Sequence, residues 1–535
     1  MRDESLQAPE ATPVALRDVP AISEGKQLVA PRPSLVEPID VVDIAASISA
    51  SFALRPPGHH QVHGITQRAQ HVRAGDLFAA LPGARAHGAD FAEVVLAAGA
   101  AAILTDPAGA ARPALQAATV PVLVLPDPRM VLGALAARIY GCPSDHLSVI
   151  GVTGTSGKTT TTYLVDAGLR AAGKTTGLIG TVQTAIAGER LASAYTTPEA
   201  PDLQALLAYM LERGVTHVPM EVSSHALALG RANGTRFAVG AFTNLSQDHL
   251  DFHHDMAEYF AAKSLLFDGR STTEVVVVDS AWGQALLTPQ TVTVSIEPGT
   301  DALWRASDIE ATPAGEQTFT LHGPDGLTAA AKIPLPGTFN VANAVLAAAM
   351  LGSAGVEAAD IVRGLGAVEV PGRMERVYLG QAFTAVVDYA HKPAAVAQGL
   401  DALRARTDGR IITVLGCGGD RDTAKRPMMG EAAARRSDVL IVTDDNPRSE
   451  DPDTIRAAML AGARGVGPSQ GGEVLEVGDR REAITHAVSL ARAGDIVFIA
   501  GKGHETGQEI QGVVHPFSDR DELEAAIRKH LEVSA

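Results

Sequence analysis

An α/β protein of three domains built on mostly parallel sheets is the fold class this sequence predicts, and three observations predict it. Short β-branched runs alternate with helical segments along most of the chain, the pattern of doubly wound parallel sheets. One of these runs, LSVIGVT at 147–153, leads straight into a glycine-rich turn and then a helix. The length, 535 residues, suits about three domains of ordinary size.

Taken in order, residues 1–40 are rich in Pro, Ala, Ser and Glu without an apolar period and read as a disordered leader. A small α/β domain follows at 41–146. There DLFAAL (76–81), AAILTD (101–106) and VPVLVLPD (120–127) read as strands, and ADFAEVVLAAG (89–99) as a helix. A second α/β domain spans 147–368. The third, 369–535, repeats the pattern with TAVVDYA, RIITVLGCGG, DVLIVTDD and DIVFIAGKG, each followed by a helical segment. In such sheets ligands bind at the C-terminal strand ends, which is where nearly every motif falls.

Composition excludes several function classes. A net charge of −17 argues against nucleic acid, whose binding needs a broad positive field. It leaves room for an anionic small substrate held by a few local cations. The longest apolar stretches, such as VVLAAGAAAIL at 94–104, fall well short of the about 20 residues that a membrane span needs. No basic start is followed by an apolar run, and Cys142 and Cys417 cannot make a disulfide framework, so a cytoplasmic protein is expected.

GVTGTSGKTT (151–160) carries the clearest chemistry. The backbone N–H groups from Gly154 through Thr155, Ser156 and Gly157 to Lys158 can curl round phosphate oxygens at a helix N-terminus. Lys158 would reach the β/γ-phosphates and the Thr159 hydroxyl a Mg²⁺ ion, with Thr160 beside it. The general phosphate-loop pattern wants glycine at Val152. Glu221, in MEVSSHAL, is expected just after a strand, where a carboxylate can hold Mg²⁺ directly or through water. TNLSQDHLDFH (243–253) supplies the turn formers Asn244 and Asp248 and then His249, a softer ligand than Mg²⁺ prefers. In EYFAAKSLLF (258–267), Lys263 lies on the apolar face with Tyr259, Leu266 and Phe267. It either snorkels to water or is buried, where a neutral amine can take up CO₂ as a carbamate.

In TDDNPRSEDP (443–452), Arg448 sits among Asp444, Asp445, Glu450 and Asp451, and Pro447 and Pro452 stiffen the segment. A surface ion pair would not need that rigidity.

TGTSGKTTT, TTPEAP, MEVSSHAL, TNLSQDHLDFH, GTFNVANA, PGRMERV, DYAHKP, GCGGDRDTAKRPMMG, TDDNPR and AGKGHETGQ occur in the order seen in the Mur ligases, and the chain resembles that family over about 60–515. TTPEAP and DNPR are similar to the branch that adds meso-diaminopimelate. The resemblance implies a small α/β N-terminal UDP-binding domain, a central P-loop ATPase domain with a mostly parallel sheet, and a C-terminal Rossmann-like domain that binds the amino acid. It implies an ATP-dependent ligase of peptidoglycan precursor synthesis. The γ-carboxylate of D-Glu in UDP-N-acetylmuramoyl-L-alanyl-D-glutamate would be phosphorylated, and the amine of diaminopimelate would attack the acyl phosphate. A lysine-adding relative and a folylpolyglutamate synthase-like ligase are the alternatives.

Residue by residue, the resemblance puts one Mg²⁺ on Thr159 and Glu221, and a second near His249 and the Lys263 carbamate. Arg373 would touch the γ-phosphate, Asn340 and Asn343 the adenine, and Asp388 the ribose, with His391 nearby. Thr196, Thr197, Ser223, Arg231 and Lys263 would line the sugar–peptide site; Leu229 stands where the family often has Gln. TQR replaces the family's usual D-S-R, which places the uridine near Ile65 and Gln67. Diaminopimelate would meet Arg421, Asp445, Asn446, Pro447, Arg448, Gly501 and Glu505. A monomer is expected.

Overall fold

The computed structural model describes residues 30–83, 86–191, 195–250, 252–312, 315–467 and 470–534. Among these, three large sheets carry the architecture. The first has five strands, with Asp76–Ala80 between Gly64–Thr66 and Ala102–Thr105, then Val122–Val124. These pair in parallel, and Ser51–Leu54 closes one edge antiparallel to Val122–Val124.

The central sheet has eleven strands. Its parallel heart places Ser148–Thr153 between His217–Glu221 and Phe237–Phe242, followed by Ser271–Val277, Val292–Ser295 and Trp304–Ala311. Both edges turn antiparallel. A meander of Trp304–Ala311, Gln317–His322 and Thr328–Ile333 forms one; Gly177–Ile179, Thr184–Ile186 and Glu189–Leu191 form the other. The helix Thr338–Ser353, alanine-rich and apolar nearly all round, is buried along the run from Val341 to Leu351. It shares a core with Leu164, Val165 and Leu169 of the phosphate-loop helix Lys158–Ala171.

The third sheet has six strands, ordered Glu375–Val377, Thr384–Asp388, Ile496–Ala500, Ile411–Leu415, Val439–Val442 and Glu473–Glu476. All pairs but the first are parallel. The strands joining Asp388, Ala500, Leu415 and Val442 to their loops lie side by side. Their C-terminal ends therefore form one ligand-facing rim, at the point where strand order reverses.

Every expected strand forms and starts within two residues of its expected start, though half of them end three or four residues early. The leader differs. Residues 1–29 lie outside the described ones, but 30–40 are held: Arg32 Nη1 donates to both carboxylate oxygens of Asp76 at 2.8 Å, and Ser34 N–H donates to Glu212 at 3.0 Å. A buried charged fork overrides the composition there. The antiparallel meander at 304–333 also goes beyond the sequence expectation; its alternating exposure is that of a sheet with one wet face.

Arg480 and Asp519 form a fully buried pair, with Nε and Nη2 donating to the two carboxylate oxygens at 2.7 Å each. Arg480 Nη2 also donates to Ala500 O at 2.9 Å. Asp519→Ala strands that guanidinium without water. The expected loss is about 3–5 kcal/mol in the urea unfolding of this domain, since breaking one half of a buried pair leaves a bare charge.

Candidate active site

Three adjacent strands of the central sheet build the first half of the site. Val152 belongs to the strand Ser148–Thr153, so the loop begins only at Gly154, and the side chain that replaces glycine is buried in the sheet. Gly154 has φ of +145°, and a Cβ there would collide with Thr243 Oγ1. Gly157, at +87°, lies against Asn343 Oδ1 and admits no side chain either.

The segment after Phe237–Phe242 clasps this loop. Thr155 N–H donates to Asn244 O at 2.9 Å and Ser156 N–H to Asn244 Oδ1 at 3.0 Å. Asn244 Nδ2 donates back to Ser156 O at 3.1 Å, and Ser246 N–H to Thr155 Oγ1 at 3.0 Å. Asn244 is thus more than a turn former. Lys158 Nζ donates to Gly154 O at 2.8 Å and Thr155 O at 3.1 Å, folded back over its own loop. Its enclosure, with the Lys392 charge nearby, pulls its pKa down to about 8.

Glu221 ends the strand His217–Glu221 rather than following it, and is buried. Oε1 accepts from Thr159 Oγ1 and from Thr181 N–H, both at 2.9 Å, and Oε2 from Thr181 Oγ1 at 3.1 Å. Those donors are all neutral. A buried carboxylate beside the phosphate-loop hydroxyl suits a divalent cation that keeps waters and phosphate oxygens as its other ligands. Thr196 and Thr197 join the same cluster: Thr196 Oγ1 lies 2.9 Å from Thr181 Oγ1, and Thr197 Oγ1 donates to Glu221 O at 2.9 Å. Ser223 N–H donates to Thr197 Oγ1 at 3.2 Å, and Arg231 pairs with Glu199 at 2.8 Å.

Lys263 does not snorkel. It is 1% exposed, on the helix Met256–Ser264, with Nζ donating to Gly154 O at 2.8 Å and standing 4.4 Å from the Tyr259 ring centre. Burial holds its pKa well below the ordinary lysine value, and the charges of Lys158 and Lys392 push the same way. His249 adopts φ of +54°, strained for a residue with a Cβ, and its Nε2 lies 3.2 Å from Asp248 Oδ2. Its ring also meets His225 at 4.8 Å between centres. Among the described residues no three His, Cys, Asp or Glu side chains converge as a ready metal cage, so any cation there draws on water and phosphate as well.

Arg373, from the third domain, crosses to this centre: Nη2 donates to Thr159 Oγ1 at 3.2 Å, and the guanidinium lies 4.5 Å from the Tyr389 ring centre. Asn340 and Asn343 share a helix face as expected, with Asn343 Nδ2 donating to Asn340 Oδ1 at 3.2 Å. Asp388 is engaged internally, accepting from Met374 N–H at 2.7 Å and Ala390 N–H at 2.8 Å. A ribose hydroxyl would share its remaining lone pairs. His391 Nδ1 lies 2.8 Å from Tyr389 O, and burial beside Lys392 and Lys425 brings its pKa to about 3.

The second half of the site is the rim of the third sheet. Lys502, fully buried, donates to Asn446 Oδ1 and Glu505 Oε2, both at 3.0 Å, and lies 3.6 Å from Asp445. Asn446 Nδ2 donates to Glu505 Oε2 at 2.8 Å, and a Cβ on Gly501 would stand 2.9 Å from Asp445 Oδ2. Pro447 is buried below Arg448, which takes φ of +52°.

None of the four flanking carboxylates holds that arginine. Asp444 binds Arg456, Asp445 lies near Lys502, Glu450 binds Arg426 at 2.8 Å, and Asp451 caps the helix Pro452–Arg464. Arg448 instead donates from Nη1 to Gly419 O at 2.6 Å, with Nε 3.3 Å from Glu509 on the hairpin Gly507–Pro516. The Arg448 side chain is half-buried. Arg421 is exposed and makes no ion pair or hydrogen bond among the described residues.

The uridine expectation fares differently at its two positions. Ile65 is buried in the N-terminal core and offers a ligand only backbone, already met by Tyr140 Oη 3.3 Å from its N–H. Gln67 Oε1 is buried without a hydrogen-bond partner among the described residues, free to accept from one. Sequence reasoning passed over Thr181, Lys392, Lys502 and Glu509. GKGHE held the signal for Lys502 and DYAHKP that for Lys392, whereas Thr181 and Glu509 become neighbours of the site only through the fold.

Comparison with known proteins agrees with this geometry. Family models match over residues 61–140 ("Mur ligase family, catalytic domain"), 152–351 ("Mur ligase middle domain") and 372–503 ("Mur ligase, glutamate ligase domain"). A UDP-N-acetylmuramoyl-L-alanyl-D-glutamate--2,6-diaminopimelate ligase from Streptomyces coelicolor is 53% identical, covering 93% of this chain and 98% of its own. One of the same name from Corynebacterium glutamicum is 54% identical over 85% of this chain and 89% of its own. A solved structure of a ligase of that name superposes with a TM-score of 0.63 at 33% identity, covering 88% of this chain and 96% of that one. The chain belongs to the Mur ligase family.

Proposed function

We propose that the protein joins meso-2,6-diaminopimelate to the D-Glu γ-carboxylate of UDP-N-acetylmuramoyl-L-alanyl-D-glutamate, with ATP converted to ADP and phosphate, in cytoplasmic peptidoglycan precursor synthesis. The observation that carries this reading is the meeting of two half-sites, a phosphate loop with its buried carboxylate and a rim with a fixed guanidinium, bridged by Arg373 on Thr159.

A carboxylate is too poor an electrophile for an amine, so it is first phosphorylated. That step brings two anions together, and cations must neutralise both. The loop amides from Gly154 to Lys158 hold the triphosphate, with Lys158 leaving its own loop carbonyls for the phosphates. Arg373 turns from Thr159 to the γ-phosphate. Thr159 and Glu221 would hold one Mg²⁺, and His249 with a carbamate on Lys263 a second; bound there, the ions offset charge between phosphoryl group and carboxylate. Thr196, Thr197, Ser223 and Arg231 orient the sugar–peptide, and Gln67 accepts from the uracil edge. On the rim, Arg448 takes the distal carboxylate of diaminopimelate in its free fork, while Asp445, Asn446, Gly501 and Glu505 receive its ammonium groups. The reactive amine then meets the acyl phosphate, and the tetrahedral adduct collapses to amide and phosphate. The unit acts as a monomer.

The deciding assay is phosphate release by purified protein with ATP, Mg²⁺ and the UDP-dipeptide. Release dependent on diaminopimelate, and not on lysine, is the expected result. Turnover with glutamate and a folate instead would overturn the reading.

A further inference from the structure

The turn after Thr384–Asp388 is unusually well fixed. The Asp388 carboxylate holds the N–H groups of Met374 and Ala390, Lys425 Nζ donates to His391 O at 3.0 Å, and the Tyr389 ring packs on His391 and His504. The next residue, Lys392, precedes the helix Pro393–Arg404. Its ammonium crosses to the central domain and lies 2.6 Å from Asp248 Oδ2, with both side chains about four-fifths covered at 18% and 19% exposure.

Asp248 sits in the segment whose Asn244 and Ser246 clasp the phosphate loop. The pair therefore ties the rigid turn of one domain to the clasp of the other. Arg373 on Thr159 also bridges the two domains, but in the proposed reaction both groups turn to the nucleotide. Lys392 and Asp248 pair directly across the domains, with His249 Nε2 3.2 Å from the same oxygen.

We propose that Lys392 is a positioning residue whose ion pair with Asp248 latches the amino-acid-binding domain closed over the phosphate loop. Its kinetic consequence rests on the ligase reading above; its geometric consequence does not. An acyl phosphate must be shielded from water and presented to the amine, so the open state is unproductive. A partly desolvated pair between two rigid segments shifts the closed population, and the apparent affinity for the last ligand shifts with it.

The test uses the full chain in a Cys142→Ser background, with labels at the exposed positions Gln290→Cys and Glu473→Cys, and the inter-label distance measured with AMP-PNP and Mg²⁺. Lys392→Met and Asp248→Asn are each expected to lower the closed-to-open ratio about tenfold, as typical coupling energies allow, with Lys392→Arg close to the parent. The double variant should be no worse than either single, because one interaction is removed. In turnover, Lys392→Met should raise the KM for diaminopimelate more than that for ATP. An unchanged distance distribution in Lys392→Met overturns the latch. So does a double variant whose loss is the product of the two singles, or an effect of Lys392→Met without one from Asp248→Asn, which would make Lys392 a phosphate ligand instead. A parent that closes through this pair yet fails to use diaminopimelate would sink the ligase reading and leave the latch standing.

Discussion

Replacing Lys263 with alanine should lower turnover by about a thousandfold or more, the scale on which removal of one charge-stabilising group costs an enzyme. The argument starts from burial. Lys263 is 1% exposed and its amine bonds to Gly154 O, with Lys158 and Lys392 close enough to disfavour its charge. Among the described residues no carboxylate bonds to it, and the opposing pull of Asp248 is outweighed by burial and the two lysines. A carbamate would reverse the balance, because an anion among those cations is favoured. Lys263→Ala leaves a cavity bounded by Tyr259 and Gly154. Bicarbonate or a short carboxylate entering that cavity is expected to restore part of the activity. Phosphate release at the parental rate, without added anion, would refute the metal-ligand role; loss without any rescue would leave only the burial argument.

Arg448→Ala should raise the KM for diaminopimelate about a hundredfold, equivalent to about 2–4 kcal/mol for a desolvated charged contact, with the KM for ATP nearly unchanged. Arg448→Lys should recover little of it, because an ammonium cannot supply two parallel donors to one carboxylate. The side chain is already aimed: Gly419 O holds Nη1, Glu509 stands by Nε, and the backbone at φ of +52° follows a buried proline. Ordering is therefore complete before the ligand arrives, and little entropy is lost on binding. A parallel rise in both KM values would place this loop elsewhere in the reaction.

Much of this site is legible in the sequence because its groups are local in the chain. The phosphate loop is one strand, one turn and one helix start, so strand pattern and glycine spacing suffice. Lys263 stands out as a charge on an apolar face, and its depth follows from Tyr259 four residues before it. Distance along the chain misleads elsewhere. The acids nearest Arg448 in sequence each serve another cation or a helix end, while its partner Glu509 comes from a hairpin some sixty residues on. Thr181 has no signature at all; it matters because the strand His217–Glu221 brings Glu221 beside it. Asp388 reads as a ribose acceptor from its place at a strand end, and the fold gives it a second task, holding Met374 in a left-handed conformation. The antiparallel edge at 304–333 is invisible to a rule tuned to strand–helix alternation, since among the described residues only the three-residue 3₁₀ turn Pro324–Gly326 separates its strands.

The sealed Arg480–Asp519 couple has a reach beyond anchoring the last helix. Arg480 also touches the carbonyls of Asp444 and Ala500, the residues from which both halves of the rim spring. The helix Asp519–Ser534 therefore acts as a keel beneath the strand ends that carry Asp444 and Ala500. A protein shortened ahead of residue 519 would leave that guanidinium without its partner beneath the carbonyls of Asp444 and Ala500, and the whole domain is expected to loosen.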